Sequence, residues 1–319
     1  YGAGTHGLFP GQTDTGAAYS AGIPQKKGER IMVWFGPAGT ADSFAAMGYK
    51  KTIQLPEYLE RMEVNAFEYQ CGRGVRVNPD TAAALKAGFA AKGLRMSLHA
   101  PYYISLSSVE EEKRDGSIRY ILESAAAAKL LGADRVVVHS GSCSKITRQQ
   151  ALELAKDTMS RALKALDEAQ LGDITLCPEM MGKINQLGTL EEVLELCTLD
   201  ERLVPCIDWG HLNARTLGGM RTKEDFAAAF RLMADRLGLE RTRRFHSHFS
   251  KIEYTEKGGE KRHLTFEDAL YGPEFEPLAE QILHYDCEPV IICESAGTQT
   301  EDAARMQATY LEMKQHLPG

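Results

Sequence analysis

The feature that most constrains the fold is a regular alternation of short apolar runs and longer helical segments. Eight runs rich in β-branched or other apolar residues follow one another along the chain. After each run comes a stretch rich in Ala, Leu, Glu, Lys and Arg, with apolar residues at helical spacing. The runs cover residues 31–35, 66–71, 95–99, 135–140, 174–178, 204–208, 244–249 and 290–294.

Eight strand–helix pairs in about 290 residues are typical of a (β/α)8 TIM barrel in the α/β class. An open doubly wound sheet is the alternative, but its Gly-rich dinucleotide fingerprint is incomplete here. The segment Phe35–Gly39 after the first run lacks the third glycine of that fingerprint. We therefore predict a single barrel domain over residues 29–319. We interpret residues 1–28, which are rich in Gly, Ala, Ser and Thr, as an irregular N-terminal arm.

Composition excludes several classes of protein. Hydrophobic residues make up 43% and charged residues 25%, which is ordinary globular usage and excludes general disorder. No run approaches the roughly 18 consecutive apolar residues of a membrane-spanning helix, so we expect no membrane association. The formal net charge is −7. A protein that binds nucleic acid over its whole surface is usually basic, so nucleic acid could bind only through a local basic patch or a metal-charged cleft.

The seven cysteines include no C-x-x-C pair, and several lie in the apolar runs. We interpret them as reduced thiols of the core. Nothing at the start of the sequence resembles a secretory leader. These observations lead us to expect a cytoplasmic protein, with a monomer favoured.

Histidine and carboxylate residues concentrate where the apolar runs end. Strand carboxyl ends meet at one rim of a barrel, where the chemistry of such folds takes place. Six of the nine histidines fall at these ends or just beyond them, together with three carboxylates. The residues are His99, His139, Glu179, Asp208, His211, His246, His248, His263 and Glu294.

A lone histidine at a rim is most simply a hydrogen-bonded structural residue, but a cluster is different. Several imidazoles among carboxylates would repel one another when protonated and desolvate one another when neutral. Divalent cations resolve both problems, because they need neutral imidazoles and ionised carboxylates. Mixed nitrogen and oxygen ligands suit zinc or manganese better than calcium or magnesium. Since the ligands exceed one tetrahedral shell, we predict at least two ions that share a carboxylate and act on a phosphoryl group.

The motifs, taken in order, resemble the endonuclease IV family of apurinic/apyrimidinic endonucleases, among the xylose isomerase-like barrels. The resemblance runs from about Val33 to Leu311 and rests on the placement of the motifs on successive strands. They are Phe35–Gly39, Leu98–Tyr102, Val138–Gly141, Pro178–Lys183, Gly188–Glu192, Cys206–His211 and His248–Lys251.

This resemblance implies three zinc ions, held by residues that match the family motif position by position. The implied ligands are His99, His139 and a bridging Glu179 for the first ion, Glu179, Asp208, His246 and Glu294 for the second, and His211 and His263 for the third.

The chain departs from the family at the third ion. The family has an aspartate two residues before the last histidine, and this sequence has Lys261 there. A cation beside a cation site is unfavourable, so we expect either that Glu260 or His248 substitutes or that the third site is empty. His248 is a second departure, because many relatives have an asparagine at its position.

Three further residues match positions that contact DNA in the resembled family, and a fourth, Lys183, is a candidate for a basic rim. Tyr102 resembles the tyrosine that these enzymes press into the DNA at the lesion. Arg73 and Arg76 follow the second strand and would suit backbone phosphates. Lys183 adds to a basic rim for which Lys251 and Arg262 are further candidates.

Two enzymatic activities are compatible with this pattern. The resemblance implies a metal-dependent phosphodiesterase of base-excision repair that cuts DNA 5′ to abasic sites. Glu179 and Glu294 would be its catalytic carboxylates. The alternative is a sugar isomerase or epimerase of the same superfamily, with one manganese or similar ion on Glu179, Asp208, His246 and Glu294. That activity requires neither the His99–His139 pair nor the His211–His263 pair, so these pairs favour the nuclease. A relative that has kept its metals but lost activity on DNA is a third hypothesis.

Overall fold

An eight-stranded parallel sheet forms the frame of the molecule. The structure, a computed structural model, describes residues 32–143 and 145–316, so the predicted arm lies outside the described residues. The strands are β1 (Trp34–Pro37), β2 (Ala66–Gln70), β3 (Arg95–His99), β4 (Arg135–His139), β5 (Thr175–Glu179), β6 (Cys206–Asp208), β7 (His246–Phe249), β8 (Lys251–Thr255), β9 (Gly259–Leu264) and β10 (Val290–Cys293). The sheet order is β1-β10-β7-β6-β5-β4-β3-β2, and β8 and β9 pair separately as an antiparallel hairpin.

Backbone contacts between β1 and β2 bring the two ends of the sheet together. Ala38 forms a parallel bridge with Glu68. The Gly39 N–H donates to the Glu68 carbonyl, and the Asn65 N–H donates to the Phe35 carbonyl, both at 3.0 Å. The predicted (β/α)8 barrel is therefore confirmed, and a strand lies in or overlaps each of the eight predicted runs.

Helices cover the outside of the barrel. They are α1 (Asp42–Ala46), α2 (Leu55–Arg61), α3 (Pro79–Lys92), α4 (Glu111–Leu131), α5 (Arg148–Glu168), α6 (Leu190–Cys197), α7 (Trp209–Arg215), α8 (Lys223–Leu237), α9 (Leu239–Thr242), α10 (Glu276–His284) and α11 (Gln299–Gln315), with a 3-10 turn at Thr52–Gln54. The start of α6 shows how the sequence sets a boundary. Thr189 and Glu192 each accept a hydrogen bond from the other's backbone N–H, which satisfies free donors of the first turn.

The strands are buried on both faces. Alternate residues of each strand face either the core beneath the helices or the inside of the barrel. Outward-facing residues such as Phe67, Leu98 and Ile207 belong to the large apolar core beneath the helices. Inward-facing positions hold only small apolar clusters, one of them formed by Val137, Cys177 and Cys206. The rest of the barrel interior is polar, because Glu68, Ser97, His246 and His248 are all buried there.

Two predictions from composition can be compared with this fold. All seven cysteines are free thiols, six of them buried, as expected for core residues. Among the helices that the structure describes, none is long and apolar enough to cross a membrane.

Candidate metal centre

Glu179 lies at the centre of the rim, where β5 ends. Its Oε2 is 3.1 Å from His99 Nε2 and 3.2 Å from His139 Nε2, and its Oε1 is 3.0 Å from His248 Nδ1. Burial alone would raise the pKa of this carboxyl group. The positive charge of His248 and hydrogen bonds from the histidines outweigh burial and hold the pKa well below its usual value. Glu179 is therefore an anion that three imidazoles face.

Three groups of side chains at this rim have the chemistry of metal ligands. Within each group, one ligand atom per residue lies within 4.8 Å of the others. The groups are His99, His139 and Glu179; Glu179, Asp208, His248 and Glu294; and His211, Glu260 and His263. Because Glu179 belongs to two groups, it can bridge two cations, as predicted.

Asp208 provides direct evidence that the second group fits a cation. Its Oδ1 caps α7 by accepting from the His211 N–H at 2.8 Å. Its buried Oδ2 is 3.0 Å from His211 Nδ1, but that nitrogen donates to the Met180 carbonyl at 2.8 Å. Oδ2 is therefore left without a hydrogen-bond donor among the described residues. An orphaned buried carboxylate oxygen is costly, and a bound cation would satisfy it.

The histidines of the first group are held in one tautomer by the backbone. His99 Nδ1 donates to the Ala100 carbonyl at 2.8 Å, and His139 Nδ1 donates to the Tyr102 carbonyl at 3.2 Å. Each ring then presents Nε2 to Glu179. Fixing one ring nitrogen so that the other is free for a metal is the usual arrangement around protein-bound ions.

The third group connects α7 to the β8–β9 hairpin. His211 Nε2 lies 3.4 Å from Glu260 Oε2, and His263 contributes from the same strand as Glu260. Lys261 lies between them in the chain and points elsewhere, with its Nζ 2.6 Å from Glu253 Oε1. The hairpin register shifts here, because Glu253 pairs with Arg262 and Tyr254 pairs with Glu260, which leaves Lys261 as an extra bulged residue. The bulge breaks the alternation of β9, and the Lys261 side chain lies on Glu253 and places no cation in the group. Of the two expected substitutes, Glu260 is the one that the structure brings there.

His246 does not join the second group as expected, and His248 takes that place. Both residues face the barrel interior, since they are two positions apart on β7. His246 lies one step deeper, fully buried, with Nε2 2.9 Å from Glu68 Oε2 and Nδ1 without a partner among the described residues. Burial lowers the pKa of His246 to about 4. It contributes only to an enclosed group with Cys206 and His248.

Sequence reasoning missed Glu68. The carboxylate is fully buried inside the barrel and accepts hydrogen bonds from four side chains on β2, β3 and β7. One signal could have found it. In Ala66–Gln70, apolar residues at 67 and 69 face the helices, so a glutamate between them must face inward.

The predicted DNA-contacting residues lie beside the rim. Arg73 and Arg76 are exposed on the loop after β2 and line a cleft of about 480 Å³. Neither has an ion-pair partner among the described residues. The Tyr102 N–H donates to the Gly72 carbonyl at 3.3 Å, which joins this loop to the exposed Tyr102 side chain. The structure thus groups these three residues on one side of the metal centre.

The three candidates for a basic rim differ in exposure and in their ion-pair partners. Lys183 is exposed, and its backbone pairs with Gly259 of the hairpin. Lys251 is buried and bound to Glu274 at 2.7 Å, and Arg262 pairs with Glu253 at 2.6 Å. Of these three candidates for a basic rim, only Lys183 has a cation free of carboxylate partners among the described residues.

Comparison with known proteins establishes the family. A model described as the xylose isomerase-like TIM barrel matches residues 56–312. The chain belongs to this family. An uncharacterised protein of Methanocaldococcus jannaschii is 31% identical over 287 residues, which cover 89% of this chain and 98% of that protein. A probable endonuclease 4 of a Sulfurihydrogenibium species is 28% identical over 52% of this chain and 60% of its own length.

Solved structures with a similar fold include both nucleases and sugar-modifying enzymes. Endonuclease IV of Thermus thermophilus superimposes with a TM-score of 0.63 at 19% identity, covering 88% of this chain and 99% of that one. The 3-keto-D-glucoside 4-epimerase of E. coli gives the same TM-score and coverage at 16% identity. The predicted relation to endonuclease IV is confirmed at the level of the family. The fold does not distinguish the two chemistries, so the activity must be argued from the site.

Proposed function

We propose that this protein is a metal-dependent phosphodiesterase that cleaves DNA 5′ to abasic sites. One observation carries the proposal: two groups of ligands share Glu179, and a third group adjoins them. A xylose isomerase-like epimerase needs only the group of Glu179, Asp208, His248 and Glu294. The His99–His139 and His211–Glu260–His263 groups have no evident role in that chemistry, but they would hold the further ions of a phosphodiesterase.

The donor set fits zinc, with manganese as an alternative, because imidazole and carboxylate ligands dominate. When bound, such ions lower the pKa of water and neutralise the charge that develops on the phosphate. Each group would hold one ion, which gives two or three ions per chain.

We propose that Glu294 orients the attacking water. Its Oε1 lies 3.6 Å from His248 Nδ1 and its Oε2 lies 3.8 Å from His263 Nδ1, so it spans the second and third groups. Unlike Glu179, it is partly open to solvent. A carboxylate at such a position can bind an ion with one oxygen and accept a proton from water with the other.

The residues beside the rim suit a damaged duplex. Arg73, Arg76 and Lys183 form no ion pair with the residues that the structure describes, so they are available to bind backbone phosphates. Tyr102 is 59% exposed, and its ring is available to stack where a base is missing. A nucleotide without a base is also cheaper to extrude than a paired one. Abasic DNA is therefore the proposed substrate and partner.

The test compares wild-type protein with His139→Ala on three substrates: a duplex with one abasic analogue, the same duplex undamaged, and a panel of ketoses. We expect nicking 5′ to the lesion that a chelator abolishes and that His139→Ala reduces by more than about a hundredfold. His284→Ala, at an exposed position on α10, is the matched control and should cut like the wild type. Ketose interconversion without nicking would instead establish the epimerase.

A further inference from the structure

We infer that Glu68 is a positioning residue of the metal centre, which fixes the tautomer and orientation of His248. The inference rests on the proposed function in one respect, namely that His248 binds a metal ion. Glu68 itself lies outside all the ligand groups of the rim. Glu68 would act on the metal ion only through the imidazole of His248.

His248 is held at both ring nitrogens. Its Nε2 is 2.9 Å from Glu68 Oε1, and its Nδ1 is 3.0 Å from Glu179 Oε1. A carboxylate that accepts from Nε2–H leaves the Nδ1 lone pair facing Glu179, Asp208 and Glu294. This chain of carboxylate, imidazole and ion makes the imidazole a more basic ligand and holds its plane.

Glu68 is itself held rigidly. Its Oε1 also accepts from Gln70 Nε2 at 3.2 Å, and its Oε2 accepts from Ser97 Oγ at 2.9 Å and His246 Nε2 at 2.9 Å. Four hydrogen bonds therefore fix both oxygens. A fully buried carboxylate is expensive to place in a protein interior, and an apolar residue would fill the barrel at lower cost.

The contrast with the other histidines indicates what Glu68 is for. His99, His139 and His211 are each held by a neutral backbone carbonyl, and His263 Nδ1 is paired with the Ser250 hydroxyl. Only His248, among these five, is held by a charged group. Hydrogen bonds to a charged acceptor are about twice as strong as neutral ones. Glu68 therefore makes His248 the most firmly positioned imidazole of the centre.

The experiment measures zinc binding without substrate, by titrating metal-free protein in the presence of a competing chelator. Glu68→Gln keeps the size of the side chain and removes its charge. We expect the affinity for one of the bound ions to fall by about 10- to 100-fold. Ser97→Ala is the matched control, because it removes another hydrogen bond to Glu68 without touching His248. It should change that affinity by less than about threefold.

Two results would overturn the inference in distinguishable ways. Wild-type zinc affinity in Glu68→Gln would reject the role of Glu68 and leave the proposed function intact. Failure of the wild-type protein to bind zinc would reject both.

A measurement on the wild-type protein covers the case in which Glu68→Gln does not fold. Nitrogen NMR of ¹⁵N-histidine-labelled, zinc-loaded protein, with His248 assigned by comparison with His248→Gln, reports which ring nitrogen carries the proton. We expect a proton on Nε2 and the metal on Nδ1, opposite to His99 and His139. A metal on Nε2 of His248 would contradict the inference.

Discussion

The β3–β4 side of the metal centre and its β7 side present their histidines in opposite ways. On the first side, His99 and His139 turn Nε2 toward Glu179 and donate from Nδ1 to backbone carbonyls. On the second side, His248 turns Nδ1 toward Glu179 and donates from Nε2 to Glu68.

The difference follows from where each histidine lies on its strand. His99 and His139 are the last residues of β3 and β4, so loop carbonyls lie next to their rings. His248 lies within β7, whose backbone pairs with the neighbouring strands, and its two ring nitrogens bond to carboxylates. A partner for its far nitrogen must therefore be a side chain from across the barrel. The comparison indicates that a histidine inside a strand needs a buried partner, whereas one at a strand end does not.

Removing the charge of Glu179 should have the largest effect, because both sides of the centre depend on it. In Glu179→Gln the amide keeps the shape of the side chain but no longer balances two cations. We expect zinc to be lost from both adjoining groups and cleavage of abasic DNA to fall by more than about a hundredfold. Elemental analysis and a nicking assay measure these losses. Glu280→Gln, at an exposed position on α10, is the control. A Glu179→Gln protein with full metal content and near-normal activity would refute the bridging role.

Two single substitutions on β7, one at His248 and one at His246, test which of these histidines binds the metal. His248→Gln should remove about one ion per chain, since His248, unlike His246, faces both Glu179 and Glu294. His246→Gln should keep the metal content of the wild type, because the ring of His246 lies one step deeper. Metal content is measured after dialysis at a fixed free zinc concentration. If His246→Gln loses metal and His248→Gln does not, His246 is the ligand.

Substitutions in the third group test whether the β8–β9 hairpin contributes a ligand to the metal centre. Glu260→Gln should weaken the binding of one ion by at least about tenfold, because it removes the only carboxylate among the three ligands. Lys261→Ala should leave zinc binding unchanged, since Lys261 pairs with Glu253 on the other face of the hairpin. A zinc titration of both variants gives the answer. If Lys261→Ala raises the affinity, its charge reaches the site after all.

A smaller effect is expected on the stability of the metal-free protein as the pH changes. Burial would lower the pKa of His99, but its hydrogen bond to Glu179 and the charge of that carboxylate raise it to about 9. Burial is likewise outweighed at His211, where Asp208 and Glu260 raise the pKa to about 9. A raised pKa stabilises the folded state fully below the unfolded value of about 6.5. This contribution disappears as the pH rises toward 9.

We therefore expect the free energy of unfolding of the metal-free protein to fall between pH 6.5 and 9, measured by urea unfolding with a chelator present. His99→Gln should reduce that slope. A stability that rises with pH over this interval would contradict the protonation of the two rings.

Much of the fold could be predicted, because strand alternation and helix signals are local properties of the sequence. Helix boundaries were less certain. The sequence Ser108-x-x-Glu111 has the capping-box pattern of a helix start, but Ser108 caps no helix, because α4 begins at Glu111 with Glu110 as its N-cap residue. The same pattern in Thr298-x-x-Glu301 does mark the start of α11, but the Thr298 hydroxyl donates to Asp302 Oδ2 and caps no backbone N–H.

Much of the rim of the site could also be predicted, because five of its ligands end a strand or directly follow one, namely His99, His139, Glu179, Asp208 and Glu294. The choice between His246 and His248 could not be made, since residues two apart on a strand face the same side. Glu68 escaped notice because three of its four hydrogen-bond partners come from strands β3 and β7, which are distant in sequence. Only packing in three dimensions brings them together.

The most direct test of the account is the number of zinc ions that the wild-type chain binds, measured by elemental analysis across graded free zinc concentrations. The central claim is that Glu179 links two ligand groups and that a third adjoins them. It predicts binding that passes one ion per chain and approaches three, with Glu179→Gln losing more than one. Saturation at a single ion, held equally well without His139, would contradict the claim and favour the chemistry of the sugar-modifying relatives.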